Sequence, residues 1–301
     1  MIYYSCIITC YNREKLIKRA IDSILNQTDQ HFEILVVDDC STDNSIAIIE
    51  QINDKRIKLI RHSVNKGQNA ALNTGVAHAK YDHLGFLDSD DIWNPEYLAE
   101  MSRIYKDNPH IKFAYCNLVN GPLWTLEGNQ KYAEVLNQGF LSSMITITAK
   151  KEAVVAAGGF DLKYKICQDD DFCFRMAKLF PFKVNLLQMA MVYGDDNSMT
   201  EDRMAVAEGW AFLFRNYRKD ILKFCGDNIY SKHMLAVATR FFECNNFLTG
   251  IYYYFIAIFY FLLPSKKTYS FSKKDFRVQS TNILRMYYRR FKTRSQKPSN
   301  D

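Results

Sequence analysis

Short apolar runs alternate with amphipathic stretches through the first ninety residues. Ser5–Thr9 is an apolar run, and over Arg13–Gln27 the residues Leu16, Ile17, Ala20, Ile21, Ile24 and Leu25 recur at helical spacing. Phe32–Val37 is rich in β-branched residues and ends abruptly in Asp38-Asp39. Ser41, Thr42 and Asp43 are capping residues for a helix carrying Ile46, Ile48 and Ile49. Arg56–Ile60 predicts a third strand, Lys66–Lys80 a third helix and His83–Leu87 a fourth strand, closed by Asp88-Ser89-Asp90-Asp91. Asn94-Pro95 supplies the N-cap and first position of a helix through Tyr105. Four strand–helix units in a row predict an α/β fold, a mainly parallel sheet with helices on both faces. Ligands of such sheets bind beyond the carboxyl ends of the strands, and the acidic clusters fall there.

From Lys112 to Tyr193 the pattern is mixed. Strands are predicted near Phe113–Cys116, Met144–Thr148 and Phe182–Leu187, and a helix over Asp170–Leu179. Residues 201–263 read as helices, with no charge from Phe247 to Leu263. The chain has 301 residues, 48% hydrophobic and 24% charged, which excludes a disordered or fibrous protein. Its eight cysteines contain no C-x-x-C and no zinc spacing, so they read as thiols in a reducing compartment. Met1–Ile8 reads as a first strand, without the basic and small-residue features of a signal peptide. The net charge of +6 is uneven: residues 264–301 hold eleven Lys and Arg against two Asp, so that segment carries +9 and the remainder about −3.

Four aspartate groups stand out: Asp38-Asp39, Asp88-x-Asp90-Asp91, Asp169-Asp170-Asp171 and Asp195-Asp196. Adjacent carboxylates repel unless they share a cation or donors. Mg²⁺ takes one or two carboxylates plus substrate phosphates, so Asp88-Ser89-Asp90 suits a bridge between a metal and a diphosphate. The plainer reading is a solvated turn, and the position after a parallel strand favours the bridge. Asp38 and Asp39 could accept from a nucleobase N–H or help start the next helix. Asp169–Asp171 could cap a helix or supply a general base. Asn65-x-Gly67 and Asn73-x-Gly75 read as a loop leading into a helix. The six histidines, His62 among them, lie outside the acidic groups and read as surface or packing residues. Neither G-x-G-x-x-G nor a phosphate-binding P-loop occurs, which argues against dinucleotide oxidoreductases and P-loop enzymes.

Taken in order, these stretches resemble family 2 glycosyltransferases. The matching segments are Ser5–Arg13, Ala20–Thr28, Val36–Asp43, Asn65–Gly67 with Ala71–Gly75, Phe86–Asp91, Gly158–Asp161 and Gln168–Phe172 with Arg175. The resemblance covers roughly residues 1–200 and implies the GT-A fold of nucleotide-diphospho-sugar transferases. It divides the chain into a transferase domain over 1–200, with a nucleotide-binding half (1–92) and an acceptor-binding half (93–200). A helical extension (201–264) and a basic tail (265–301) follow. It implies that Thr9, Tyr11, Arg13 and Asp39 line the nucleotide pocket, that Asp88 approaches the ribose and diphosphate, and that Asp90 holds Mg²⁺ or Mn²⁺. Asp169 would be the base, with Asp170 or Asp171 as register alternatives; Asp38, Asp91 and Asp195 are further candidates. Gln168 stands where the family most often has Glu.

The expected activity is inverting, metal-dependent transfer of a sugar from a nucleoside diphosphate sugar, a UDP-sugar first, to a hydroxyl of a glycan or lipid-linked acceptor in cell-envelope polysaccharide synthesis. The rival readings are a catalytically silent binding protein of the same fold and a membrane-surface scaffold. Phe247–Leu263, 17 residues long, is just short of the ~18–20 needed to span a bilayer, so packing as a hairpin against 228–244 is preferred to docking or insertion. Residues 247–297 are expected to meet an anionic membrane, and the protein to work in the cytoplasm at the inner membrane face. No nucleic-acid module accompanies the tail, and no nucleic-acid partner is expected.

Overall fold

The computed structural model describes residues 1–119, 121, 132–139, 143–193, 202–264 and 271–281. The chain forms two compact units, Met1–Val135 with Phe140–Ser198, and Leu136–Gly139 with Met199–Asp301.

The first unit contains β1 (Tyr4–Cys10), α1 (Ile17–Leu25), β2 (Phe32–Asp38), α2 (Ser45–Glu50), β3 (Ile57–Arg61), α3 (Gln68–His78), β4 (His83–Asp88), β5 (Ile92–Trp93) and α4 (Tyr97–Asp107). It continues with β6 (Phe113–Leu118), the start of α5 (Tyr132–Gln138), β7 (Ile147–Lys150), α6 (Lys151–Ala156), α7 (Gln168–Leu179) and β8 (Phe182–Met191). The sheet order is β3-β2-β1-β4-β7-β6-β8-β5. β1 is parallel to β2 and β4, and β2 to β3; β7 is antiparallel to both β4 and β6, and β5 to β8. With β6 and β8 parallel, all strands but β5 and β7 share one direction, as the strand–helix alternation predicts.

Every residue of β1 and β2 is buried, because helices cover both faces of the sheet. Tyr4, Cys6, Ile8 and Cys10 face one core with Ile17, Ala20, Ile21 and Ile24 of α1 and Leu98 and Met101 of α4. Ile7 points the other way, towards α3. A Cβ at Gly75 would lie 2.5 Å from the Ile7 Cγ2, so the Gly of Asn73-x-Gly75 lets α3 sit directly on β1.

Three expectations need correction. Asn94-Pro95 are not the N-cap and first position of α4, which begins at Tyr97: Asn94 accepts the N–H groups of Glu96 and Tyr97 in a turn ahead of the helix. The helix predicted from Arg13 begins at Ile17, because the N–H groups of Arg13 and Glu14 are held by Ser45 Oγ (2.8 Å) and Asp43 Oδ2 (3.0 Å) ahead of a turn. The strand predicted over Met144–Thr148 starts at Ile147. Met144–Thr146 form a 3₁₀ turn, in which Thr146 Oγ1 donates to Ser143 O at 2.7 Å. The two-residue β5 and the short helices α5 and α6 carry no periodic signal.

The second unit contains α8 (Arg203–Asn216), α9 (Arg218–Phe224), α10 (Asp227–Glu243) and α11 (Phe247–Leu262). α10 and α11 form the expected hairpin. A Cβ at Gly250 would lie 2.8 Å from the Phe242 ring, Ser231 Oγ donates to Ala257 O at 2.7 Å, and Phe241 stacks on Tyr253. Arg218 donates to the Tyr260 hydroxyl. Among the described residues no helix is long and apolar enough to cross a membrane.

Candidate active site

Parallel pairing puts the carboxyl ends of β1, β2 and β4 side by side. Thr9 pairs with Val37 on one side and Asp88 on the other, and Cys10 pairs with Asp38. The chain leaves β1 and β2 through Asn12 (φ 52°) and Cys40 (φ 70°), left-handed positions that make both exits tight turns. Asp38 is wholly buried and accepts the Ser41 N–H at 3.1 Å, so its carboxylate builds the turn after β2. Tyr11 remains half exposed beside it. Arg13 Nη1 donates back to the carbonyls of Tyr11 (3.4 Å) and Asn12 (3.2 Å).

Asp39 holds more partners than its sequence context suggests. Its Oδ1 lies 2.7 Å from His62 Nδ1 and accepts the Lys66 N–H (2.9 Å), while Oδ2 accepts the Gly67 N–H (2.7 Å). His62 Nε2 lies 2.9 Å from Thr74 Oγ1. The His62 side chain is thus buried, in keeping with the packing reading rather than the surface one, and its partner is Asp39. β2 and β3 are in register at Asp38 and Arg61, and the next residue of each strand is Asp39 and His62.

The second acidic group closes β4. Gln68 Nε2 donates to Asp88 Oδ1 at 2.9 Å, and burial, then the charges of Asp169, Asp91 and Asp90, push the Asp88 carboxyl well above its usual range. The Asp90 carbonyl accepts from Arg19 Nη2 (2.6 Å), whose guanidinium lies 4.1 Å over the Tyr193 ring. No side chain donates to the Asp90 carboxylate among the described residues. Asp91 is buried and accepts the Tyr193 N–H at 3.0 Å, tying the end of β8 to this turn.

The third group opens α7. Asp169 Oδ2 accepts the Met144 N–H at 3.0 Å, while its Oδ1 is screened from solvent and has no partner among the described residues. Burial pushes the Asp169 carboxyl up to about 6, against the lowering effect of the Met144 bond. Asp171 instead pairs with Arg175 at 2.8 Å, and Arg175 Nη1 donates to the carbonyls of Ala157 and Gly159, both at 2.7 Å. Asp170 is buried, and Asp195 lies outside the described residues.

Amides of α3 carry the link between the two halves of this unit. Asn73 exchanges two hydrogen bonds with the Phe160 backbone, both 2.8 Å. Asn69 Nδ2 donates to the carbonyls of Asp161 (2.8 Å) and Tyr164 (2.7 Å), and Gln168 Nε2 donates to Gln68 Oε1 (3.0 Å). The carboxyl at the start of α7 is near enough to the one at the end of β4 for the Asp169 charge to raise Asp88.

The donor set fits a hard divalent cation shared with a substrate. Among the described residues no three or more His, Cys, Asp or Glu are grouped to hold a metal by themselves. Asp88 and Asp90 are two mutually repelling carboxylates, the number that Mg²⁺ or Mn²⁺ uses when phosphates complete its shell.

A GT-A sheet with acidic strand ends facing an acidic helix start defines a class, the nucleotide-diphospho-sugar transferases. Comparison with known proteins agrees. The description of glycosyl transferase family 2 matches residues 5–138. An uncharacterized glycosyltransferase of Haemophilus influenzae is 31% identical over 191 residues, covering 61% of this chain and 74% of that protein. A UDP-Glc:alpha-D-GlcNAc-diphosphoundecaprenol beta-1,3-glucosyltransferase of Escherichia coli is 40% identical over 114 residues, 38% of this chain and 44% of that one. The solved mannosyltransferase of Pyrobaculum calidifontis, in complex with GDP-Man and Mn²⁺, shares the fold at a TM-score of 0.60 and 18% identity, covering 96% of this chain and 82% of that one. The chain belongs to glycosyltransferase family 2 and is a glycosyltransferase.

Proposed function

We propose that the enzyme transfers a hexosyl or N-acetylhexosaminyl group, with inversion, from a nucleoside diphosphate sugar to a hydroxyl of a glycan or lipid-linked acceptor in cell-envelope polysaccharide synthesis. The carrying observation is the unpartnered, screened Oδ1 of Asp169, a group whose charge acts on Asp88. Thr9, Tyr11, Arg13 and Asp39 hold the nucleotide, and Asp39 keeps acceptor capacity on Oδ2 for a base N–H. Asp88 meets the ribose and diphosphate, and Asp90 holds Mg²⁺ or Mn²⁺. A cation there would neutralise charge on the leaving diphosphate. Asp169 takes the acceptor hydroxyl proton while that oxygen bonds to C1 from the face opposite the breaking C1–O bond. The name of the Escherichia coli relative supports a UDP-sugar and a lipid diphosphate acceptor; the mannosyltransferase complex supports a cation. Purified protein given UDP- and GDP-sugars, Mn²⁺ and a lipid diphosphate sugar tests the reading. Transfer with inverted anomeric configuration is expected. Retained configuration overturns single displacement, and neither transfer nor donor hydrolysis overturns the donor assignment.

A membrane partner completes the reading, at the cytoplasmic face where nucleotide sugars are supplied. One face of α11 packs on α10. The other presents Leu248 (85% exposed), Ile251, Tyr252, Phe255 (63%), Phe259 and Leu262 (75%) as one apolar stripe at helical spacing. Phe276 stacks on Phe261 at 4.2 Å, which sets the exposed Lys273, Lys274 and Arg277 beside the end of that helix. An apolar stripe flanked by cations suits in-plane docking on anionic lipid. The rest of the basic tail lies outside the described residues.

A further inference from the structure

Two glutamines occupy matching places, Gln68 at the first position of α3 and Gln168 at the first position of α7. They are joined in one direction: Gln168 Nε2 donates to Gln68 Oε1 (3.0 Å), and Gln68 Nε2 donates to Asp88 Oδ1 (2.9 Å). A primary amide has unlike ends, so a donor on one side forces its own N–H to the other. Reversed, Gln68 would turn its carbonyl oxygen to Asp88 Oδ1 and lose the N–H it now gives there.

We propose that Gln168 fixes the sense of the Gln68 amide, and that Gln68 is thereby a positioning residue that aims Asp88 at the donor diphosphate. The inference rests on the reading of Asp88 as a donor-side group. The pair is not required to hold the helices together. α3 is already bound to the Phe160–Tyr164 loop through the two bonds of Asn73 and the two of Asn69. The glutamine pair therefore adds direction, and its loss is expected in donor binding more than in stability.

A double-mutant cycle tests this. Gln168→Glu keeps size but removes the donor, so Gln68 must present its N–H to Glu and its oxygen to Asp88. With Gln68→Met there is no amide to turn, and any general effect of the added charge remains. The readouts are the Kd of UDP or GDP, whichever the wild-type chain binds with Mn²⁺, and the melting temperature. Gln168→Glu should weaken nucleotide binding about ten-fold more in the Gln68 background than in the Met background, the size of one bond to a charged group. Equal factors in both backgrounds overturn the proposal. Gln168→Met removes the donor without adding charge and should show the same background dependence in smaller measure, which keeps the test open if the glutamate variant fails to fold. Asp88→Asn separates the two levels. Unchanged nucleotide binding in that variant sinks the donor-side reading of Asp88; weakened binding together with an additive cycle sinks the amide inference alone.

Discussion

Asp169→Asn should make the protein a poorer enzyme and remove a pH-dependent penalty on the fold. The Asp169 carboxyl is raised to about 6 in the folded chain, against an ordinary value near 4 once unfolded. Below about pH 4 the group is protonated in both states and does not alter stability. Between about 4 and 6 the unfolded chain ionises while the folded one stays protonated, so stability falls as pH rises, and the full penalty is present above about 6. That rise corresponds to at most ~3 kcal/mol. Asparagine removes that penalty and still accepts the Met144 N–H, but its amide nitrogen inherits the unpartnered Oδ1 position at a cost of roughly 1–3 kcal/mol. The decisive quantity is therefore the pH dependence: relative to wild type, the variant should gain stability by up to ~3 kcal/mol between pH 4 and pH 7.5. Urea melts at pH 4, 6 and 7.5 measure it. In the wild type, turnover should fall about ten-fold per pH step below 6, because a base must be ionised; the variant should lose about 10²–10⁴ in kcat above pH 6, and the gap should narrow as pH falls. A wild-type-minus-variant stability difference that is flat with pH would refute the raised carboxyl, and near-normal kcat would refute the base.

Three other outcomes follow from the same geometry. Chelation by EDTA should stop turnover and Mn²⁺ or Mg²⁺ restore it, while Asp90→Ala should lie near background in steady-state assays at any metal concentration; full activity of that variant in chelator would remove the cation. Gly75→Ala places a Cβ 2.5 Å from Ile7 Cγ2 and should cost about 1–3 kcal/mol in urea melts, with Gly67→Ala, which has open space but φ +88°, strained for a different reason. Phe255→Glu with Leu262→Glu should leave the melting temperature unchanged and reduce co-sedimentation with anionic vesicles, whereas ending the chain near Ser265 should weaken chiefly the salt-sensitive part of that binding.

What could be read from sequence, and what could not, follows from the range of the interactions. The first four strands are legible because both faces of β1 and β2 are covered, which leaves continuous apolar runs that stop where the carboxylates begin. Met144–Thr146 is apolar enough to pass for strand, yet Met144 gives its N–H to a carboxylate 25 residues on, and no local pattern records that bond. Asp169, Asp170 and Asp171 share the first turn of α7 and look alike as capping acids. Arg175, four residues after Asp171, is the signal that separates one of them, since that spacing marks an ion pair on one helix face. His62 was within reach by a different route, because parallel β2 and β3 in register at Asp38 and Arg61 put Asp39 next to it. The link from Gln168 to Asp88 had no such route. It spans 100 residues from Gln168 to Gln68 and joins residues with no charge to announce them, through two helix starts whose juxtaposition depends on Asn69 and Asn73 gripping a loop ninety residues away. Charged residues thus advertise the candidate groups, while the neutral amides bonded to them become visible after folding.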